Sequence, residues 1–343
     1  FQNNIDEATL DAMLTAARDS FSVTWRRYFQ AKARLLGTEQ LAWWDVLAPV
    51  GETSQTWEYD EGKAFVAENF DAFSKRMGDH ARRAFNERWI DVDPKPGKGG
   101  GAWASPIRDD EARVLLNYSP SFSSVNTLAH ELGHVYHDYV IAKRTRMQRI
   151  TPSTLGETAS TFCETIIRNA ATQNASPQEE LAILDGALQS AAQSVVDISS
   201  RFLFEKAVFE QRALRELSID EFSELMLEAQ RATYGDGLDP ATYHQFMWAA
   251  KPHYYDVNEG FYNFPYMFGL LFGLGLYARF IEDPDHFRAG YDELLSMTGM
   301  ADAATLAGRF GIDIRDRGFW DSSLAILGRD IERFIELAES ESK

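Results

Sequence analysis

One pentapeptide limits the fold more than any other feature of this 343-residue chain. His130-Glu131-Leu132-Gly133-His134 lies inside a run, Val125, Leu128, Ala129, Leu132 and Val135, whose apolar positions recur at helical spacing. On a helix turning ~100° per residue, His130 and His134 stand about 40° apart. Both imidazoles can then reach one metal ion, and Glu131 is angled toward a water carried by that ion. The plain alternative is a pair of satisfied surface histidines.

The rest of the chain also repeats at helical spacing. Residues 6 to 37 carry Leu10, Met13, Leu14, Phe21, Val23, Trp25, Phe29 and Leu35, with Gly37 as a stop, and read as one long helix with room for a break. Further helical patterns cover 60–90, 124–145, 154–173, 177–216, 219–232, 284–298 and 316–340, and none alternates like a sheet. The expected fold is therefore mainly α. The exception is the β-rich run Ala112-Arg113-Val114-Leu115-Leu116-Asn117-Tyr118, stopped by Ser119-Pro120 and read as a short strand or edge hairpin. Between Phe261 and Ile281 lies the most apolar stretch, but Asn263, Pro265 and Arg279 leave it too short for the ~20 residues of a bilayer crossing. It reads as a buried core helix. The glycines of Asp93-Pro94-Lys95-Pro96-Gly97-Lys98-Gly99-Gly100-Gly101 exclude regular structure, leaving a linker or a substrate-covering flap.

With 34 basic against 52 acidic residues the net charge is −18, which argues against nucleic acid or an anionic membrane as a partner. The single cysteine, Cys163, excludes an internal disulfide framework and fits a reducing compartment, hence a cytoplasmic protein. Oligomeric state leaves no mark on the sequence. Because the chain begins at Phe1 with neither Met nor a secretory signal, it reads as a fragment or processed product.

Two histidines do not complete a catalytic zinc site, which prefers three protein ligands and one open position. Glu157, 27 residues after His130, opens the next helical pattern after enough chain for a turn and an antiparallel return. It is the candidate third ligand, although Thr154-x-x-Glu157 also matches a helix capping box. Glu164, two turns on along the same face, is either an acceptor for a ligand imidazole or a solvated carboxylate. His137 is a decoy: at ~1.5 Å per residue it sits about 10 Å along the axis from His130, too far to share the ion. Cys163 reads as a packed side chain. Pro252-His253-Tyr254-Tyr255-Asp256 and Gly260-Phe261-Tyr262-Asn263-Phe264-Pro265-Tyr266 gather an imidazole and several phenols at the head of the apolar helix. His253, Tyr262 and Tyr266 are candidate donors to an oxyanion, against the plainer role of aromatic core.

These pieces, in this order, resemble the oligoendopeptidase F family, relatives of thimet oligopeptidase among the gluzincin metallopeptidases. The likeness rests on Gly101-Ala102-Trp103, Val114-Leu115-Leu116-Asn117-Tyr118, Thr127 to His137, Leu155-Gly156-Glu157-Thr158-Ala159-Ser160 with Glu164, and His253 with Phe261-Tyr262-Asn263-Phe264-Pro265-Tyr266. It is strong over residues 90 to 280. The resemblance implies a helical zincin catalytic domain with a small β element beside the HExxH helix. Residues 1–90 would be flanking helices, 91–280 the zinc-site core and 281–343 C-terminal helices, without the family's N-terminal region. It further implies one Zn²⁺ per chain on His130, His134 and Glu157, Glu131 as general base, and His253 and Tyr262, with Tyr266 close by, polarising the substrate carbonyl. The implied activity is endopeptidase cleavage of short peptides, with the 112–118 strand edge as a pairing site for substrate. A zinc carboxypeptidase of the Taq type and an inactive zinc-bearing binding module are the alternatives. Two departures stand out: nine positions separate His253 from Tyr262, more than in several relatives, and Gly269 occupies a place where some members carry tyrosine.

Overall fold

The N-terminal pattern folds as two helices in line, α1 (Glu7–Ser20) and α2 (Arg26–Leu35), joined by a π-helical turn at Phe21–Trp25. The computed structural model describes residues 3–51, 55–108, 110–256 and 260–341. Thr38 N–H returns to Ala33 O and closes α2 at Gly37, where the sequence places the stop. The expected helix over 60–90 is instead a pair, α3 (Tyr59–Phe73) and α4 (Lys75–Asn86). Ser74 breaks it by turning extended and capping α4 with its side chain, which accepts from the Met77 amide.

Next come three strands, β1 (Ile90–Asp91), β2 (Trp103–Arg108) and β3 (Glu111–Leu115), in the order β1-β3-β2. β3 pairs parallel with β1 and antiparallel with β2. The expected hairpin is present, formed by β2 and β3, but 112–118 is not a free edge: β1 flanks β3 at Val114 and Leu115, and the outer strand of the hairpin is β2. Pro106 hid β2 in the sequence. A strand with no amide hydrogen at one position survives only at an edge, and the register slips just there, between Pro106 and Arg108. The glycine-rich segment is thus a crossing from β1 to β2 over the end of β3. It is pinned at its base by Lys98, whose buried ammonium donates to the Asp91 and Asp93 carbonyls, and by Asn117, which donates to Gly99 and Gly101.

The remaining helices are α5 (Phe122–Ile141), α6 (Ser153–Gly156), α7 (Thr158–Thr172), α8 (Pro177–Ala192), α9 (Ile198–Arg212), α10 (Ile219–Tyr234), α11 (Phe264–Glu282), α12 (Pro284–Ser296), α13 (Ala303–Arg309) and α14 (Arg317–Glu341). A second π-turn, Gln193–Asp197, joins α8 to α9 and divides the run expected as one helix. Helix α13 falls between the helical patterns at 284–298 and 316–340 and matches neither. Against the length expected from sequence, α11 is long and apolar enough to cross a membrane, but its residues from Phe264 to Leu276 are largely buried against α7 and α14, as the expected core helix requires. One buried apolar cluster reaches from Met13 of α1 to Leu337 of α14, so the first and last helices share a core with the segment that carries HExxH.

Inside that core sits a charged knot. Lys32 of α2 is buried with Asp185 of α8 at 3.0 Å, and Asp185 also accepts from Tyr28 Oη (2.9 Å), the Val50 amide (3.1 Å) and Gln189 Nε2 (2.6 Å). A buried ammonium left alone is far costlier than the pair. Asp185→Ala should therefore cost roughly 3–5 kcal/mol, read as a lower urea midpoint, whereas a surface carboxylate such as Asp285 replaced by Ala should leave the midpoint unchanged.

Candidate metal centre

HExxH lies in the middle of α5, capped at its start by Ser121, whose side chain accepts the Ser124 amide at 3.3 Å. The third residue comes from the break between α6 and α7. Glu157 stands there with φ −89° and ψ 6°, and its side chain caps nothing. The capping box suggested by Thr154 and Glu157 does not form: Thr154 lies within α6 and donates to Asn3 O at 2.6 Å. The freed carboxylate of Glu157 turns to α5.

Three ligand atoms then form a nearly equilateral triangle. Glu157 Oε2 is 3.3 Å from both His130 Nε2 and His134 Nε2, and the two nitrogens are 3.1 Å apart. A tetrahedral ion with N and O ligands at ~2.0–2.1 Å has edges of about 3.3 Å, so the triangle matches one face. His137 stays out, as expected: it is buried and its Nε2 meets Thr298 Oγ1 at 2.9 Å. Burial pushes its pKa down to about 4. Cys163 is fully buried against Met77, and burial pushes its thiol far above the ordinary range.

The surroundings are acidic. Glu164 Oε1 lies 2.6 Å from His130 Nδ1, which must donate to it, leaving Nε2 as a lone pair aimed at the ion position. Ser160 Oγ donates to Glu157 Oε2 at 2.7 Å. Burial works against charge on His130, but the Glu164 hydrogen bond and the Glu164, Glu157 and Glu131 charges together hold its pKa well above the ordinary value. Burial likewise works against charge on Glu157, yet the hydrogen bond and charge of His134 hold its carboxyl down to about 2. The pocket thus draws positive charge, which a divalent ion supplies more fully than a proton. Glu131 is 4% exposed, and its Oε2 has no partner among the described residues. Removing the outer support should tell: Glu164→Ala is expected to weaken zinc affinity ~10–100-fold in competition with a chromophoric chelator.

The aromatic group joins the same place. Tyr262 and Tyr266 line a cavity of about 210 Å³ together with Glu157, and their hydroxyls are 3.0 Å apart. His253 stands beside Tyr262, ring centres 5.6 Å apart. α11 reaches Glu157 at Gly269, where a Cβ would lie 2.6 Å from Glu157 Cβ, so a larger side chain at 269 has no room unless Glu157 moves. Sequence reasoning gave Ser160 no role, although a hydroxyl three residues after a ligand in a helix's first turn was the available signal. Nor did it give a role to Asn263, whose Nδ2 lies 2.7 Å from His253 Nε2.

The model of peptidase family M3 matches residues 1–326. The chain belongs to peptidase family M3. Among relatives of this M3 chain, it is 25% identical over 340 residues to the oligoendopeptidase F homolog of Lactococcus lactis, covering 98% of this chain and 56% of that protein. To the group B oligopeptidase PepB of Streptococcus agalactiae it is 25% identical over 314 residues, 91% of this chain and 51% of that one. Among solved structures, the fold matches a putative peptidase from Chlamydophila abortus with a TM-score of 0.84 at 22% identity, over 98% of this chain and 56% of the other. Oligoendopeptidase-F from Enterococcus faecium matches with a TM-score of 0.74 at 18% identity, over 99% and 54%. The family resemblance and the mainly α fold read from the motifs both hold. The M3 chain spans about half the length of the curated relatives it matches.

Proposed function

We propose that the chain is the catalytic portion of a zinc-dependent endopeptidase that hydrolyses short peptides, with one ion per chain. The observation that carries this is the His130, His134 and Glu157 triangle with the unpaired Glu131 oxygen beside it. Zinc held by those three residues would lower the pKa of a water toward ~7 and polarise a carbonyl.

The chain's own groups do the rest. Glu131 takes a proton from the attacking water and passes it to the leaving nitrogen as the C–N bond breaks. Burial raises the proton affinity of its carboxyl, which suits it to hold the proton between the two events. Tyr262 and His253 donate to the carbonyl oxygen as charge builds there, with Tyr266 orienting the Tyr262 hydroxyl. An extended peptide pairs with the free edge of β2, whose main-chain groups accept many sequences and leave selectivity to pockets such as the one between Glu157 and Tyr266. On this proposal residues 91–280 supply the site, 1–90 and 281–343 support it, and the cytoplasm is the compartment, since the lone cysteine calls for no oxidising one.

The test is a quenched peptide blocked at both ends, incubated with the chain after metal analysis. One zinc per chain with cleavage at an internal bond, abolished by chelation and restored by zinc, is the expected result. An intact blocked peptide, with sequential release from the free C-terminus of an unblocked one, would instead mark a carboxypeptidase, and bound zinc without cleavage of either a binding module.

A further inference from the structure

The loop carrying His253 and Tyr262 is braced from α9 by two side chains one turn apart. Glu205 Oε1 accepts the amide of Phe261 at 2.7 Å, holding that residue at φ +54°, and Arg201 Nη1 donates to Asn263 Oδ1 at 3.1 Å. Arg201 also pairs with Asp197, at the end of the second π-turn, whose other oxygen accepts from Tyr234 Oη at 3.3 Å. Asp197, Arg201 and Asn263 are all buried. The remaining polar atom of Asn263, Nδ2, lies 2.7 Å from His253 Nε2.

Donor counting fixes the protons along this line. A guanidinium only donates, so the Asn263 atom that faces Arg201 is the carbonyl oxygen. The atom facing His253 is then the NH₂, which also only donates. His253 Nε2 must accept, and an imidazole whose Nε2 accepts is neutral and carries its proton on Nδ1. Reversing the amide would set NH₂ against guanidinium, and an imidazolium would set N–H against NH₂. The other charged or titratable neighbours do not oppose this. Burial, Arg201 and Lys251 all push the His253 pKa below its ordinary value, and the remaining close rings are the phenols of Tyr254, at 4.5 Å, and Tyr262.

We propose that Asp197, Arg201 and Asn263 form a positioning relay that locks His253 as the neutral Nδ1–H tautomer, making Nδ1–H the donor that His253 offers to the substrate carbonyl. The use of that donor rests on the function proposed above; the tautomer does not.

Long-range ¹H–¹⁵N correlation of the zinc-loaded chain reads the tautomer directly, with His253 assigned by the signal lost in His253→Gln. At neutral pH the expected spectrum shows Nε2 bare and Nδ1 protonated; a protonated Nε2 in the unaltered chain overturns the relay. Asn263→Asp replaces the donor with an acceptor, so the proton should move to Nε2 and kcat for the blocked peptide should fall roughly 10²-fold with KM little changed, the usual scale for losing one oxyanion donor. An Nε2 that stays bare in Asn263→Asp overturns the proposal. Should that variant not fold, Asn263→Leu removes the donor at similar volume and should give a mixture of tautomers, and an unchanged single tautomer there also overturns it. A moved proton with unaltered turnover supports the relay and removes His253 from the proposed chemistry.

Discussion

Glu131→Gln is expected to bind zinc as tightly as the parent chain while losing roughly 10²–10⁴-fold in turnover, the range that positioned general acid–base catalysis contributes. The substitution keeps the shape of the side chain and removes only its capacity to hold a proton. Because Glu131 makes no contact through Oε2 among the described residues, no structural bond is lost with the charge. Folding should therefore be untouched or slightly improved, since burial already disfavours the charged carboxylate. Metal analysis, urea unfolding and hydrolysis of a blocked quenched peptide, run on the same preparation, separate the three effects. A variant that turns over at the parent rate would remove Glu131 as the base.

Gly133→Val should damage both stability and metal binding. A Cβ at position 133 would stand 2.6 Å from Ser160 Cα and 2.8 Å from Ala159 O, so α5 and α7 touch backbone to backbone within the motif itself. Backbone atoms cannot rotate aside as a side-chain tip can, and α7 must move away. Overpacking of this kind costs about 1–3 kcal/mol or more. The displacement also carries Glu157 and Ser160 with it, and Glu157 is wedged on its far side against α11 at Gly269. A shift near 1 Å in a reacting geometry costs roughly 10²-fold in rate, and the ligand triangle has little slack with sides of 3.1 and 3.3 Å. The expected result is a lower urea midpoint together with weaker zinc retention on dialysis against chelator. Unchanged values for both would show that the close crossing of α5 and α7 does not set the ligand geometry.

Features written in a few consecutive residues were legible. HExxH sits on a helix because its neighbours repeat at helical spacing, and the apolar positions of α11 could only be buried core. Features that depend on a partner were legible only as alternatives. Thr154-x-x-Glu157 satisfied a local rule for a cap as well as a long-range rule for a ligand, and the carboxylate direction, which chooses between them, is set by α5 lying beside the α6–α7 break. β2 was invisible because Pro106 weakens a strand pattern, and its pairing with β3 rescues it only at an edge. Each π-turn divides a long helical run by shifting its period by a single residue, and at Ser74 one extended residue does so, too little in either case to stand out from the apolar pattern.

The order of the residues alone determined that two imidazoles and a carboxylate would share one turn of an apolar-faced helix, that the chain would be mainly α, and that it resembles a family of zinc peptidases. Those properties follow from backbone geometry repeated every few residues. Only the packed molecule decided that Glu157 faces His130 and His134, that β2 is the outer strand of the hairpin, and that Arg201 and Asn263 line up with His253. Each of those depends on how closely two distant segments approach, and that distance is set by side-chain volume, such as the missing Cβ atoms of Gly133 and Gly269, rather than by local propensity.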